Sequence, residues 1–307
     1  MVATVSTKVR AMAVRRRRGR TGPRRRTVTA VAAIGLACAT AALAGCGGQA
    51  AGDPARDDAG RARVDPVVSG AADALVRAGS SRVTTSMRMA SGGTWLTITG
   101  TGGFDYARRQ GRLRLVLPKD ATGTEEHKPL TELLTPGALY MKDRGEGVPA
   151  GKWVRMDTTR LPDGNLVTGG ATEPLAAAEL LRGAQDVTFV SDETLDGVKV
   201  RHFRGSCDIA RAAAATPAAG RGPLEAAAKG FPVTRVPFDA WLDARGRLRR
   251  LTQRFTFDAA GARPGSPGQE VTVISTTDYG GFGTPAPVTL PRPADIWSGK
   301  IVSAPKR

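Results

Sequence analysis

The sequence predicts an α+β fold, an antiparallel sheet of about nine to eleven strands carrying a few short helices. Three observations carry this reading. Segments in which apolar residues recur at every second position are spread along the chain between Arg82 and Thr277. The connections between them are rich in Gly, Pro and Asp-Gly, which suit hairpins rather than crossovers. Helical periodicity is confined to short stretches that do not alternate with the strands, so a βαβ layout is excluded.

Residues 1–45 stand apart from that fold. All ten formal charges there are positive, among them Lys8, Arg15 to Arg18 and Arg24 to Arg26, and an uncharged run follows from Val28 to Gly45. A basic start followed by an apolar stretch and small residues is the order of an export signal. A plain membrane anchor is the alternative for a run of this length, but its alanine, glycine and threonine insert weakly. Arg25 and Arg26 suit a twin-arginine signal, whereas Thr27, Val28 and Thr29 match it poorly. The Sec and twin-arginine routes both stay open.

The run ends Leu43-Ala44-Gly45-Cys46, followed by two glycines. It resembles the lipobox of bacterial lipoproteins, in which cleavage between the positions of Gly45 and Cys46 leaves a cysteine that carries a diacylglyceryl group. A thiol is the nucleophile suited to accept the lipid, and small residues give the peptidase access. The expected location is the outer face of the cell membrane, with the anchor at Cys46. Residues 46–64, rich in Gly, Ala, Asp and Arg without an apolar face, read as a tether. The domain is expected at 65–307.

Removing the signal changes the charge argument. Ten of the 45 basic residues and none of the 28 acidic ones precede Cys46, leaving 35 against 28, a net charge of +7 rather than +17. Scattered arginines at alternate strand positions make no nucleic-acid footprint; the charge suits an anionic membrane or envelope polymer. Of three cysteines, Cys38 leaves with the signal and Cys46 takes the lipid. Cys207 then has no partner for an internal disulfide, and reads as a small buried hydrophobe at a strand end, with an intermolecular link as the alternative. Two histidines, His127 and His202, leave little material for a metal site, and no metal or cofactor is expected.

The elements follow in order. Asp65 as N-cap, Pro66 at the first helical position and Gly79 as stop bound one short helix, with Val67, Ala71, Ala74, Leu75 and Ala78 on one face. Period two then governs Arg82 to Met89, Thr94 to Tyr106 and, after a turn at Gln110-Gly111, RLRLVL with Leu113, Leu115 and Leu117 on one face. Gly100, Gly102 and Gly103 lie inside strand-like sequence, where they mark a bend rather than a phosphate loop. Leu130 to Leu134 and Ala138 to Lys142 flank the turn Pro136-Gly137, and Lys152 to Asp157 is a further strand. Asp143 to Gly151 is too charged and glycine-rich to be buried, and Gly164 to Gly170 is similarly loop-like. Helix returns at Glu173 to Arg182. Val187 to Ser191 and Val198 to Arg204 form a hairpin over Asp196-Gly197, and alanine-rich Ile209 to Lys229 reads as two helical pieces. Val233 to Leu242, Leu248 to Phe257 and Val271 to Thr277 complete the sheet, with a bulge near Arg249 or Arg250 to reconcile the parity of Leu248 with that of Leu251. The proline-rich tail from Pro285 to Pro293 is not a central strand.

Catalytic patterns are absent from the sequence: no Gly-x-Ser-x-Gly elbow, no His-Glu-x-x-His and no phosphate loop occur. His202, with Asp192, Glu193 and Asp196 nearby in sequence, is the single candidate base for a secreted hydrolase. A structural strand histidine is the preferred reading, and the chain is read as a non-enzyme. A sheet of this size must be covered, closed or curved about something. Composition leaves open whether its interior is a filled core, with an envelope protein as partner, or an apolar hollow for acyl chains.

From about Leu75 to Ile296 the chain resembles the actinobacterial LppX/LprG-type lipoproteins, relatives of the LolA and LolB carriers. The resemblance rests on the lipobox, GTGGFDY at 100–106, LTPGALYMK at 134–142 with KWVRMD at 152–157, DGVKVRHFRG at 196–205, WLDARGRLRRL at 241–251 and TTDYGGFGTPAPVTLP at 276–291. It implies a LolA-like half-barrel sheet wrapped about helices, and a lipid or glycolipid held in an apolar cavity, with no catalytic residue. It implies Trp95, Ile98, Leu113, Leu115, Val200, Phe255 and Phe257 as sheet residues that are candidates for the cavity lining, with their inward parity left open.

Overall fold

The computed structural model describes residues 65–91, 94–118, 128–142, 144–145, 147–258 and 270–299. Eleven strands make one antiparallel sheet: β1 Ser80–Ser91, β2 Thr94–Asp105, β3 Gln110–Val116, β4 Leu130–Thr135, β5 Ala138–Lys142, β6 Trp153–Asp157, β7 Ala184–Leu195, β8 Val198–Asp208, β9 Arg235–Asp243, β10 Leu248–Asp258 and β11 Glu270–Gly280. Their order is β6-β5-β4-β3-β2-β1-β11-β10-β9-β8-β7. The strands β1 to β6 and β7 to β11 each follow one another as antiparallel neighbours in chain order, with two helices in the connection of β8 to β9, and the two sets meet where β1 pairs with β11 from Arg82↔Gly280 to Ala90↔Thr272. The expected α+β fold with a large, curved, open antiparallel sheet is therefore the observed one.

Direct partners in an antiparallel ladder point to the same face, so the inner face can be followed across the sheet. Gln253, Ser275, Met87 and Ile98 form one such row, and Leu113, Glu132, Met141 and Val154 another. Gly100 and Gly102 stand on this face of β2. A methyl group on Gly102 would overlap the Arg112 carbonyl, so only glycine lets β2 and β3 approach as closely as the curvature there demands. The expected bulge lies between Leu248 and Arg250.

Five helices accompany the sheet: α1 Pro66–Ser69, α2 Ala71–Ala78, α3 Pro174–Leu180, α4 Ile209–Ala215 and α5 Ala218–Gly230. The helix expected over 65–79 is thus two pieces. Asp65 caps the first, accepting from the Val67 and Val68 amides, and the Gly70 amide closes it on the Pro66 carbonyl. Restarting at Ala71 rotates the first turn, so that Val68 is buried and Val67 exposed. The turn expected at Gln110-Gly111 lies earlier, at residues 106–109, with Arg109 at φ 54°. Gln110 already pairs with Asp105. The hairpin of β7 and β8 is longer than the apolar alternation indicates because two register shifts, at 185–188 and 189–191, break the period of β7.

All of α3 is buried. The sheet grips it through Gln253 Nε2, which donates to the Ala177 carbonyl at 3.0 Å, and the Tyr279 hydroxyl, which donates to the Pro174 carbonyl at 2.9 Å. On the β6 edge the chain's tail shields the strand, where the Trp297 amide donates to the Trp153 carbonyl at 2.7 Å.

Candidate functional site

The inner face of β2 to β5 is covered by residues 163–172, DGNLVTGGAT, which lead into α3. This segment has no helix or strand, as its glycines indicate, yet Asp163 to Val167 and Gly169 to Thr172 are all buried. Asp163 organises it: one carboxylate oxygen accepts from the Asn165 amide at 3.1 Å, the other from Val167 and Thr168 at 2.9 and 2.8 Å. The Thr172 hydroxyl donates to the Leu166 carbonyl at 2.8 Å and lies 2.8 Å from the Ser275 hydroxyl of β11. A loop can be buried in this way because its backbone donors find partners inside itself.

Four of the proposed lining residues, Ile98, Leu113, Leu115 and Phe255, are brought together in the buried core on the inner face. A β-carbon on Gly170 would sit 3.2 Å from Ile98 and 3.6 Å from Leu115, so the buried segment lies directly on them. Phe257 has the same parity and packs partly buried against the core. Trp95 and Val200 belong to the outer face. Trp95, 47 % exposed, lies under the Arg88 guanidinium, and Val200 pairs with Glu193 and Asp243. Gly45, Cys46 and His127 lie outside the described residues.

At the end of the sheet where β1 runs into β2, no described residue outside the sheet is as closely packed on the inner face as residues 163–172 are farther along. Met89 and Leu96 are cross-strand partners there, as are Phe257 and Val271. Met89, Leu117, Phe257 and Val271 are partly buried, and Leu96 is 47 % exposed. Phe231, just past α5, tilts against Phe255 and Phe257 with centroids 6.1 and 5.4 Å away.

Polar groups within the covered region are few. Arg109 donates twice to Glu179 of α3, at 3.0 and 2.7 Å, tying the β2–β3 turn to the helix. Glu132 of β4 is fully buried and Asn165 is 4 % exposed. Both carboxyl oxygens of Glu132 and the Asn165 Oδ1 lack a hydrogen-bond partner among the described residues. Burial pushes the Glu132 carboxyl up to about 8, against the opposing pull of the Arg144 charge. Parity exposes this residue in the sequence: in LTELLT, Glu132 stands between Leu130 and Leu134 on one face of a strand.

His202 lies on the outer face, stacked on Trp241 at 4.2 Å. Its Nδ1 is 2.9 Å from Glu193 and its Nε2 2.8 Å from Asp239. The Ser191 hydroxyl donates to Glu193, not to the imidazole. With both ring nitrogens held by carboxylates, this histidine fastens three strands, and the neighbouring Ser191 hydroxyl is engaged by the same Glu193 oxygen. Cys207 is buried opposite Val236; burial, helped by the Asp208 charge, pushes its thiol up, which keeps it protonated and unreactive. Among the described residues no group of three or more His, Cys, Asp or Glu side chains is placed to hold a metal ion. Two open pockets, of about 380 and 410 Å³, lie on the outer face and share Arg82.

No family model matches the sequence, and no curated protein matches it. Among solved structures the chain is similar to the Mycobacterium tuberculosis lipoprotein LppX, with 13 % identity over 73 % of this chain and 100 % of that one, at a TM-score of 0.38. It is similar also to LprF from Mycobacterium bovis, with 15 % identity over 74 % and 95 % of the two chains and a TM-score of 0.36. A LolA superfamily protein from Nitrosomonas europaea shares 12 % identity over 69 % and 91 %, at a TM-score of 0.29.

Proposed function

We propose that the chain is an exported envelope lipoprotein, held at the outer face of the cell membrane through an acylated Cys46, that binds the acyl chain of a lipid or glycolipid against the inner face of its sheet. The observation that carries this reading is the apolar rim, where the partly buried Met89, Leu117, Phe257 and Val271 and the exposed Leu96 continue the buried rows of the inner face toward the end of the sheet. An acyl chain laid along that row and beneath residues 163–172 is driven by about 25 cal/mol per Å² of apolar surface withdrawn from water. Ile98, Leu113, Leu115, Phe255 and Phe257 are its proposed contacts. Because residues 163–172 lie against Ile98 and Leu115, binding requires that segment to shift. It has no ladder of its own to break.

The test is solvent extraction of the full chain purified from its own membrane, with mass spectrometry of the extract, followed by titration with a fluorescent acyl-chain probe. A stoichiometric lipid, or saturable probe binding weakened by Leu115→Arg, is the expected result. If the extract holds no lipid and the probe does not bind, the filled interior is a structural core. The outer face, where two pockets meet at Arg82, then becomes the working surface for an envelope protein partner.

A further inference from the structure

Glu132 and Asn165 are anomalous in a core of this composition. A buried carboxyl and a buried amide oxygen without partners cost about 1–3 kcal/mol each, and an apolar side chain at either place removes the penalty. Glu132 sits in the inner row between Leu113 and Met141, flanked along its own strand by Leu130 and Leu134. Nothing in the sheet itself requires an acid there.

One glycine connects the surroundings of the two groups. A β-carbon on Gly169 would stand 2.9 Å from Asn165 Oδ1 and 3.3 Å from the Leu139 side chain. Leu139 is on β5 in the inner row next to Met141, the cross-strand partner of Glu132. The carbonyl of the same glycine accepts from Arg144 Nη1 at 3.0 Å, and Arg144 is the cation whose charge acts on Glu132. Asn165 and Arg144 thus meet at a tightly packed glycine of the buried segment, and Glu132 is linked to them through the Arg144 charge and the inner row of β4 and β5; space for a ligand group comes from the shift of residues 163–172 that acyl binding already requires. Arg144 is already engaged by a carbonyl, whereas the three acceptor oxygens are not.

We infer that this is a polar subsite for a hydroxyl-bearing head of the bound amphiphile, such as the free hydroxyls of a glycerol or a sugar, with Glu132 and Asn165 as the recognising groups. The inference rests on the acyl-lipid reading above and gives it a substrate class. At neutral pH a carboxyl raised to about 8 is predominantly a neutral acid, which both donates and accepts. An alcohol is its complement, since it donates to one oxygen while accepting from the acid proton. The Asn165 oxygen takes a second hydroxyl proton. A ligand of the same chain length with an ester but no hydroxyl can accept the acid proton but donates nothing, so the Glu132 carbonyl oxygen and Asn165 Oδ1 stay unpaired, and binding sites discriminate most strongly when a missing group strands buried polar atoms.

Two probes with the same acyl chain and ester separate the possibilities: 1-monooleoylglycerol, with two free hydroxyls, and methyl oleate, with none. Each is titrated into the full chain in detergent micelles and bound ligand is read by native mass spectrometry. The wild type is expected to hold monooleoylglycerol at least about tenfold more tightly than methyl oleate. Glu132→Leu should bring that ratio close to one while methyl oleate still binds; Glu132→Gln, which keeps the shape and an acceptor, should retain part of it. A ratio unchanged in both variants overturns the subsite and leaves acyl binding in place. If the wild type binds neither probe, the acyl reading fails and the subsite fails with it.

Discussion

Among single residues, Glu132 makes the sharpest demand on the chain. Its carboxyl ordinarily titrates near 4.5, and burial raises it to about 8 in the folded state. The folded protein therefore keeps a proton that the unfolded chain has released throughout that interval, so stability is greatest below the lower value and falls as pH rises toward the upper one. The slope from a single such group is about 1.4 kcal/mol per pH unit. Glu173, which burial raises to about 7, contributes in the same direction. A comparison of variants isolates the first residue: between pH 5 and 8 the Tm of the wild type should decline more steeply than that of Glu132→Gln, measured by calorimetry in parallel. Parallel curves for the two proteins would show that Glu132 keeps its charge in the fold.

At the scale of elements, the strands were legible because one wet face and one apolar face write themselves as alternation, and the hairpin turns carry their own chemistry at Pro136-Gly137 and Asp196-Gly197. The bulge at Leu248 was legible as a parity conflict. The break at Gly70 was not, because Val67 and Val68 offer equivalent apolar side chains and only tertiary packing chooses between them. The buried segment 163–172 was missed for a related reason: its glycines and polar residues are those of an exposed loop, and its burial depends on hydrogen bonds that no period records. Asp163 is the residue that makes burial tolerable. Asp163→Ala strands three amides, each at about 1–3 kcal/mol if unpaired in the interior, so a loss of about 3 kcal/mol or more is expected in urea unfolding. A loss below about 0.5 kcal/mol, the range of an unimportant surface change, would mean the amides find water and the segment is not sealed. The candidate lining was only partly legible: Leu113 and Leu115 share a parity visible in RLRLVL, whereas the placement of Trp95 and Val200 on the outer face needed the register of β1–β2 and β7–β9.

On the scale of the whole molecule, charge is divided unevenly between the residues before Cys46 and those after it. Most of the excess basicity resides before Cys46, and the remaining +7 is too diffuse to hold a protein on a membrane alone. In the proposed anchoring, retention comes from acylation of Cys46, at about 0.8 kcal/mol per buried CH₂, with two chains needed for a durable anchor. If residues 47–64 serve as the proposed tether, roughly 3 Å per residue of extended chain is enough either to let the sheet's apolar rim reach the bilayer surface or to lift it clear. The Cys46→Ala variant separates these contributions. It is expected to remain unprocessed, or to leave the membrane fraction once cleaved elsewhere, while the purified variant keeps its acyl-probe affinity, since Cys46 takes no part in the proposed contacts. Membrane retention with normal processing after that substitution rules out the lipobox. Loss of probe binding along with the anchor would instead mean that the protein's own lipid, rather than a carried one, fills the inner face.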